Sequence, residues 1–433
     1  MIELFEYGEW KKVIAKDDLK HLLKEIWQQH LFVPEGMQEI TDSRYQPFLK
    51  FEDDLVRAKN YVGFIQTASD RIEIYPKVFD GKVDDKQLML RHIFYWFSYC
   101  RKWRFPFNQA SLDVKEIDSF PELIIHLIAN QFLETVTQQP LMQYQELSES
   151  MLTPRGSVNF SRYVSNSLSR GNYHQIECDY EPFLFDNKVN RIIKYCTRLL
   201  IDQTRYAENQ TILQDVIFVL DEVEDVYVSA HDVKSVQLNS FFADYRMVME
   251  MCRMVINQQL YSNRQYDMSQ WCLLFPMEYI FEDFVAGFLE QHFSDQWKVK
   301  YQKSDMTLVS RPEVFTMQHD IFLTSRDGSN RQIIVDTKYK VRQIEEDGKA
   351  GVSQSDLYQV VSYAYRRGCT EVILIYPNKD ETLLPPEVFE IESGFAGKDV
   401  IKVKVVEIPF WSVNGEESIK ECLIQSLVNI LNK

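Results

Sequence analysis

The sequence predicts a mixed α/β protein, with an α+β N-terminal region, a helical middle region and an α/β domain at its C-terminal end. Three observations carry that expectation. From about residue 266 the hydrophobic pattern runs helix, strand, hairpin, helix, strand and closing helix, the alternation of an α/β domain. Residues 1 to about 140 mix strand-like runs with two long stretches of helical period. The segment between them opens on polar "ELSESMLTPRGS", a boundary or an ordered loop, and continues into helical patterns. A chain of 433 residues can hold two or three domains, each with a sizeable core, and the expected divisions are 1–140, 141–265 and 266–433.

In the first region "YVGFIQT" and "RIEIYPKVF" read as strands, and "DKQLMLRHIFYWFSYCRKW" and "PELIIHLIANQFLETVTQQ" as helices. Apolar residues recur at helical spacing in both helices, so their aromatics are expected in a core and not on a base-stacking platform. In the middle region helices are expected at 188–207 and about 240–263, with Asp186 as the N-cap of the first. The last region begins with "FPMEYIFEDFVAGFLEQHF", an amphipathic helix whose stripe is Met277, Phe281, Phe284, Val285 and Phe288. Glu278 and Glu282 flank that stripe. "EVILIYP" reads as a strand and "EESIKECLIQSLVNILNK" as the closing helix. No internal repeat or low-complexity tract is present.

Hydrophobic residues make up 45% of the chain and aromatic residues 13%, the composition of a globular protein. No apolar run approaches the roughly 18 residues of a membrane span, and "MIELFEYGEW" has no signal-peptide pattern. The seven cysteines (100, 178, 196, 252, 272, 369 and 422) are scattered, odd in number and never spaced C-x-x-C. That pattern leads to the expectation of a reducing cytoplasm, without zinc or disulfides. The eight histidines show no ligand pairing.

One stretch breaks the rules of a buried strand. In "HDIFLTSRDGSNRQIIVDTKYK", residues 319–340, Asp320, Asp336 and Lys338 stand in segments otherwise rich in Ile, Val, Leu and Phe. Asp327-Gly328 is a turn signal, so the stretch reads as a β-hairpin. With the hairpin centred on Gly328, Asp320 and Asp336 lie eight residues either side of it and face each other. Directly opposed side chains have Cβ atoms roughly 4.5–5.5 Å apart. Lys338 is two residues past Asp336 and falls on the same face. A buried ion pair with a spare carboxylate is the other reading, but two acids sharing one lysine leave a net negative charge that such a pair does not neutralise. A divalent cation does: Mg²⁺ takes a few carboxylate oxygens and completes its shell with water and phosphate. Such a group suits metal-assisted phosphodiester hydrolysis.

These residues resemble the PD-(D/E)XK nuclease motif: Asp320, then Asp336-Thr337-Lys338 at the end of the next strand, with His319 where many members have Pro. In the helix that follows, Gln359 and Tyr363 have the QxxxY spacing of RecB-like members. The resemblance implies metal ligation by Asp320 and Asp336, and catalytic parts for both together with Lys338, Gln359 and Tyr363. Helix packing beside the site is the other reading of Gln359 and Tyr363. It also implies a further ligand on the preceding helix, for which Glu282 is the choice and a solvated helix face the alternative. Across the chain "RIEIYPKVF", "LTPRGSVNF", "FDNKVNRIIKYCTRLL", "FPMEYIFEDFV", "IVDTKYK", "DLYQVVSYAY" and "LIYP" occur in an order similar to that of the McrC family. McrC is the nuclease subunit of the modified-cytosine restriction system.

The resemblance implies Mg²⁺, with Mn²⁺ as a substitute, and double-stranded DNA carrying modified cytosine. It also implies a separate McrB-like AAA+ GTPase ring, on which the N-terminal region would dock. No G-x-x-x-x-G-K-[ST] occurs, so no nucleotide site is expected in this chain. Arg155, in the "TPRGS" loop, is either a contact to the ring or an ordinary loop arginine. The net charge of −16 fits a subunit brought to DNA by a partner, because unaided binding needs a basic face. The basic clusters are local, at 101–105, 298–303, 338–342 and 366–367, and the two that flank the site are either a backbone track or solvated faces. A non-catalytic adaptor and a stand-alone RecB-like repair nuclease are the alternatives.

Overall fold

Strands about 200 residues apart in the chain build the same sheet. The computed structural model describes residues 1–28, 46–67, 69–101, 117–238, 242–259, 271–311, 313–343, 348–392 and 400–432. One compact unit takes Met1–Pro121 together with Ser269–Lys433, and Glu122–Met268 form a second. The expected three successive segments do not foresee that grouping, because strand pairing joins residues far apart in sequence.

In the first unit β1 (Ile2–Phe5), β2 (Tyr61–Gln66) and β3 (Arg71–Tyr75) precede α1 (Lys86–Tyr99). Then come β4 (Trp271–Pro276) and α2 (Met277–Phe293). The four strands form one sheet, in the order β1-β3-β2-β4. Gly63 in β2 sits at φ +137°, and a Cβ there would lie 2.0 Å from the Leu273 carbonyl of β4. Only glycine lets the two strands approach so closely. The long helices meet the same way: a Cβ on Gly287 of α2 would lie 1.9 Å from the Tyr99 carbonyl at the end of α1. The aromatics of α1 are core, as their spacing predicts. Trp96 is fully buried and stacks on Phe410 at 3.8 Å.

The second sheet holds the hairpin. β5 (Trp297–Ser310), β6 (Glu313–Ser325) and β7 (Gln332–Thr337) are antiparallel, and α3 (Gln354–Arg367) leads to β8 (Glu371–Pro377), parallel to β7. β9 (Glu387–Glu392) and β10 (Val400–Ile408) complete the order β5-β6-β7-β8-β10-β9, and α4 (Glu416–Asn432) closes the chain. Val360 and Ala364 of α3 pack on Phe322, Ile334, Val372, Leu374 and Val403. This fixes the polar face of α3 at the end of β7.

The second unit is more than helical. Its helices, Lys188–Gln203, Ala207–Val219 and Ala243–Gln259, are joined by a three-stranded sheet of Leu147–Met151, Ser157–Val158 and Ile176–Tyr180. "TPRGS" turns between two of these strands, and the Arg155 guanidinium lies over the Tyr180 ring at 5.3 Å. Asp186 is not the cap expected of it. Asn187 caps the helix, accepting from the N–H groups of Val189 and Asn190. Asp186 instead holds Arg191 through two hydrogen bonds of 2.7 and 2.8 Å, a stronger use of a carboxylate than a cap.

Candidate functional site: opposed carboxylates at the end of β7

The ladder between β6 and β7 pairs Thr324 with Gln332, Leu323 with Ile333, Phe322 with Ile334 and Ile321 with Val335. One step further the opposed positions are Asp320 and Asp336, the register expected from a turn at Gly328. Backbone pairing stops there, and the Asp320 carboxylate takes its place. Its Oδ2 accepts from the Thr337 N–H at 2.8 Å and from Thr337 Oγ1 at 2.9 Å. Asp320 is thereby locked to the strand that carries Asp336.

Asp336 is buried, and Lys338 Nζ lies 2.7 Å from its Oδ2. Burial and the Asp320 charge push the Asp336 carboxyl above its ordinary range, and Lys338 offsets them only in part. Burial opposes the charge on Lys338, but Asp336, Asp320 and Asp356 outweigh it and hold the ammonium above its usual value. The group therefore keeps its cation and is short of positive charge.

The polar face of α3 continues the group. Lys338 Nζ donates to Gln359 Oε1 at 3.3 Å, and Gln359 Nε2 donates to Tyr363 Oη at 3.1 Å. The Tyr363 ring packs at 4.8 Å from the buried His319 imidazole. Asp336, Lys338, Gln359 and Tyr363 thus form a continuous chain of contacts. Glu282 lies on α2, and its charge acts on Tyr279 and Tyr301.

Two residues of the group were not foreseen. Lys340 Nζ pairs with both oxygens of Asp356 at 2.8 and 3.1 Å. Asp356 sits in the first turn of α3, where its N–H bonds the capping Ser353 Oγ at 3.2 Å. The spacing S-x-x-D marks such a helix start. Lys340 lies past the end of β7 in a turn, its N–H donating to the Lys338 carbonyl at 2.7 Å, so strand alternation does not place it.

The residues fit a hard divalent cation. The donors are oxygens, and a buried carboxylate lacks enough positive charge around it. Among the described residues no three His, Cys, Asp or Glu side chains form a closed ligand set. Two carboxylates with room for water and phosphate oxygens suit Mg²⁺ better than a dedicated cage does.

The sequence matches the family model of the McrBC 5-methylcytosine restriction system component over residues 56–377. No curated protein matches the chain at a significant level. The fold is similar to a chain of the refined half-complex from a tetradecameric assembly of Thermococcus gammatolerans McrB AAA+ hexamers with bound McrC. The TM-score is 0.75 at 17% identity, covering 99% of both chains. A chain of the cryo-EM structure of the Thermococcus gammatolerans McrBC complex matches with a TM-score of 0.54 at 18% identity, over 67% of this chain and 88% of that one. With more than half of its length matched, this chain belongs to the McrBC 5-methylcytosine restriction system component family.

Proposed function

We propose that this chain is the McrC-like endonuclease subunit of a GTP-dependent restriction complex that cleaves DNA carrying modified cytosine. The observation that carries the reading is Asp320 opposed to Asp336 at the end of β7, with Lys338 Nζ 2.7 Å from Asp336. Asp320 and Asp336 would hold Mg²⁺, or Mn²⁺ in its place, and the ion would supply charge neutralisation and an acidified water. Lys338 has the position to orient the attacking water and to meet charge developing on the phosphate. Gln359 holds the Lys338 ammonium, and Tyr363 holds Gln359, so α3 sets the direction in which that ammonium points. The buried carboxylate and the apolar layer behind it keep bulk water from screening these charges.

The partner in this reading is a McrB-like AAA+ GTPase ring, since the similar solved complex is described as McrB AAA+ hexamers with bound McrC. The resemblance puts ring docking on the N-terminal region, and exposed apolar side chains offer the second unit as a further surface for it. There Leu152, Phe160, Val164 and Tyr173 are each more than half exposed, the side chains that an interface covers. Arg155 stands in the same turn as Leu152.

The test reconstitutes the chain with its AAA+ partner on methylated plasmid DNA. Lys338→Ala and Asp336→Asn are each expected to abolish cleavage while stimulation of the partner's GTPase persists. Full cleavage by either variant removes the site assignment.

A further inference from the structure

Beyond Thr337 the β6–β7 ladder has ended, yet Lys338 must be held accurately for the chemistry proposed above. Its N–H still donates to the Ile375 carbonyl at 2.8 Å. On the other side it is the next residue, Tyr339, that is gripped, and the grip comes from the N-terminal segment of the same unit. Lys77 Nζ donates to the Tyr339 carbonyl at 2.7 Å and lies 4.1 Å from the centre of its ring. The Tyr339 hydroxyl donates to Glu6 Oε2 at 2.7 Å, and the same oxygen accepts the Lys77 backbone N–H at 3.1 Å. Backbone carbonyl, ring face and hydroxyl of Tyr339 are therefore all fixed by two residues more than 260 positions away.

That arrangement is costly as packing. Glu6 and Tyr339 are buried, and Glu6 Oε1 has no hydrogen-bond partner among the described residues. Burial pushes the Glu6 carboxyl up to about 7 and the Lys77 ammonium down. Tyr7, next to Glu6, has φ +56°, a left-handed backbone that a tyrosine adopts only under constraint. An apolar pocket would hold the Tyr339 ring more cheaply than a buried acid and lysine do. It would not hold the Tyr339 carbonyl, which belongs to the peptide joining Tyr339 to Lys340, one link beyond Lys338. Strained, poorly solvated groups aimed at the backbone beside a reactive lysine are what accurate positioning requires.

We propose that Lys77 and Glu6 are positioning residues for cleavage, clamping Tyr339 so that Lys338 keeps its place between Asp336 and Gln359. The inference rests on the nuclease reading above. It adds that the N-terminal segment is part of the cleavage machinery through its grip on Tyr339.

The experiment uses the full chain with its AAA+ partner and Mg²⁺ on methylated plasmid DNA. Lys77→Met and Glu6→Ala are each expected to lower kcat by about a hundredfold, the cost of a roughly 1 Å misplacement, with KM for DNA unchanged. Glu6→Gln keeps an acceptor oxygen for both donors and is expected to retain most of the activity. Hydrogen exchange of the free chain is expected to quicken in the peptide around residues 338–341 of Lys77→Met and not across the distant strands of the sheet. Wild-type turnover in Lys77→Met, or a loss that vanishes on cooling well below its melting point, overturns the inference. So does an equal quickening of exchange throughout the unit. If wild type itself fails to cleave under conditions that support partner GTPase activity, the nuclease reading falls and the positioning role falls with it. Wild-type cleavage with an equally active Lys77→Met overturns only the positioning role.

Discussion

Replacing Asp336 by Asn separates a metal site from a structural ion pair without DNA or partner. Asp336 and Asp320 occupy opposed positions, so their Cβ atoms are about 5 Å apart. At an effective dielectric near 20, two charges at that separation repel by roughly 3 kcal/mol. Burial and the Asp320 charge both disfavour the ionised Asp336 carboxylate, and Lys338, 2.7 Å away, offsets them only in part. A carboxyl raised above its ordinary 3.8 keeps its proton in the folded state where the unfolded chain has lost it. Stability of the metal-free protein should therefore fall as pH rises from about 4 through the raised value, and the contribution is gone above it. Asp336→Asn removes that dependence and should leave the metal-free melting temperature near pH 8 unchanged or higher. Mg²⁺ at a hundredfold excess over its Kd should stabilise wild type by about 2.7 kcal/mol and the variant not at all. Thermal melts of both proteins, with Mg²⁺ and with EDTA, measure this. A variant destabilised by roughly 3–5 kcal/mol, beside a wild type indifferent to metal, is what a structural Asp336–Lys338 pair requires and would refute the reasoning.

Three further outcomes are expected. Gly287→Ala forces a Cβ to 1.9 Å from the Tyr99 carbonyl, so α1 and α2 must separate. Urea unfolding should show a loss of at least about 1–3 kcal/mol, and an unchanged midpoint would mean that the helices do not pack this closely. Glu6, raised from 4.5 to about 7, binds a proton in the folded state that the unfolded chain has released, so its contribution declines as pH rises through that window, by about 3 kcal/mol in all. Glu6→Gln should flatten the pH dependence of stability between about pH 5 and 8, and an unaltered slope contradicts the burial of an ionisable Glu6. The chain alone should bind duplex DNA weakly at physiological salt because of its net charge of −16, and tight autonomous binding would favour the stand-alone reading.

The hairpin was legible because each of its signals is local. Asp327-Gly328 fixes the turn, strand alternation fixes the face, and Ile321 opposite Val335 carries the register to the two acids. The Q-x-x-x-Y spacing on α3 was equally local, one helical turn bringing Gln359 to Tyr363. What stayed hidden depends on contacts that sequence distance conceals. Nothing in the run "YVGFIQT" says that β2 will pair with β4, more than 200 residues on. Lys77 reads as an ordinary lysine until Tyr339 is placed beneath it. β9 and β10 were passed over, though β10 lies beside β8 in the middle of the sheet. Asp186 was misread because a capping residue and a salt-bridging residue look alike beside a helix start.

The basic residues around the site explain how an acidic chain can be built for DNA without gripping it. Lys338 pairs with Asp336, and Lys340 with Asp356. Arg342 is buried and donates from Nε to the Ala350 carbonyl at 3.1 Å. Arg366 donates to the Thr307 carbonyl and Ser310 Oγ, and Arg367 lies over the Phe322 ring. Of the cluster at 101–105, Arg101 bonds Glu290, and residues 102–105 lie outside the described part of the chain. Most of these cations are held by internal partners, and a cation already paired releases few counterions when a phosphate arrives. A site organised this way gains little from meeting DNA at random. On the proposed reading it acts when another component holds the duplex against Asp320 and Asp336. In such a division of labour the affinity resides in the partner, and the accuracy resides in the strand end that Asp320, Gln359 and Tyr339 hold in place.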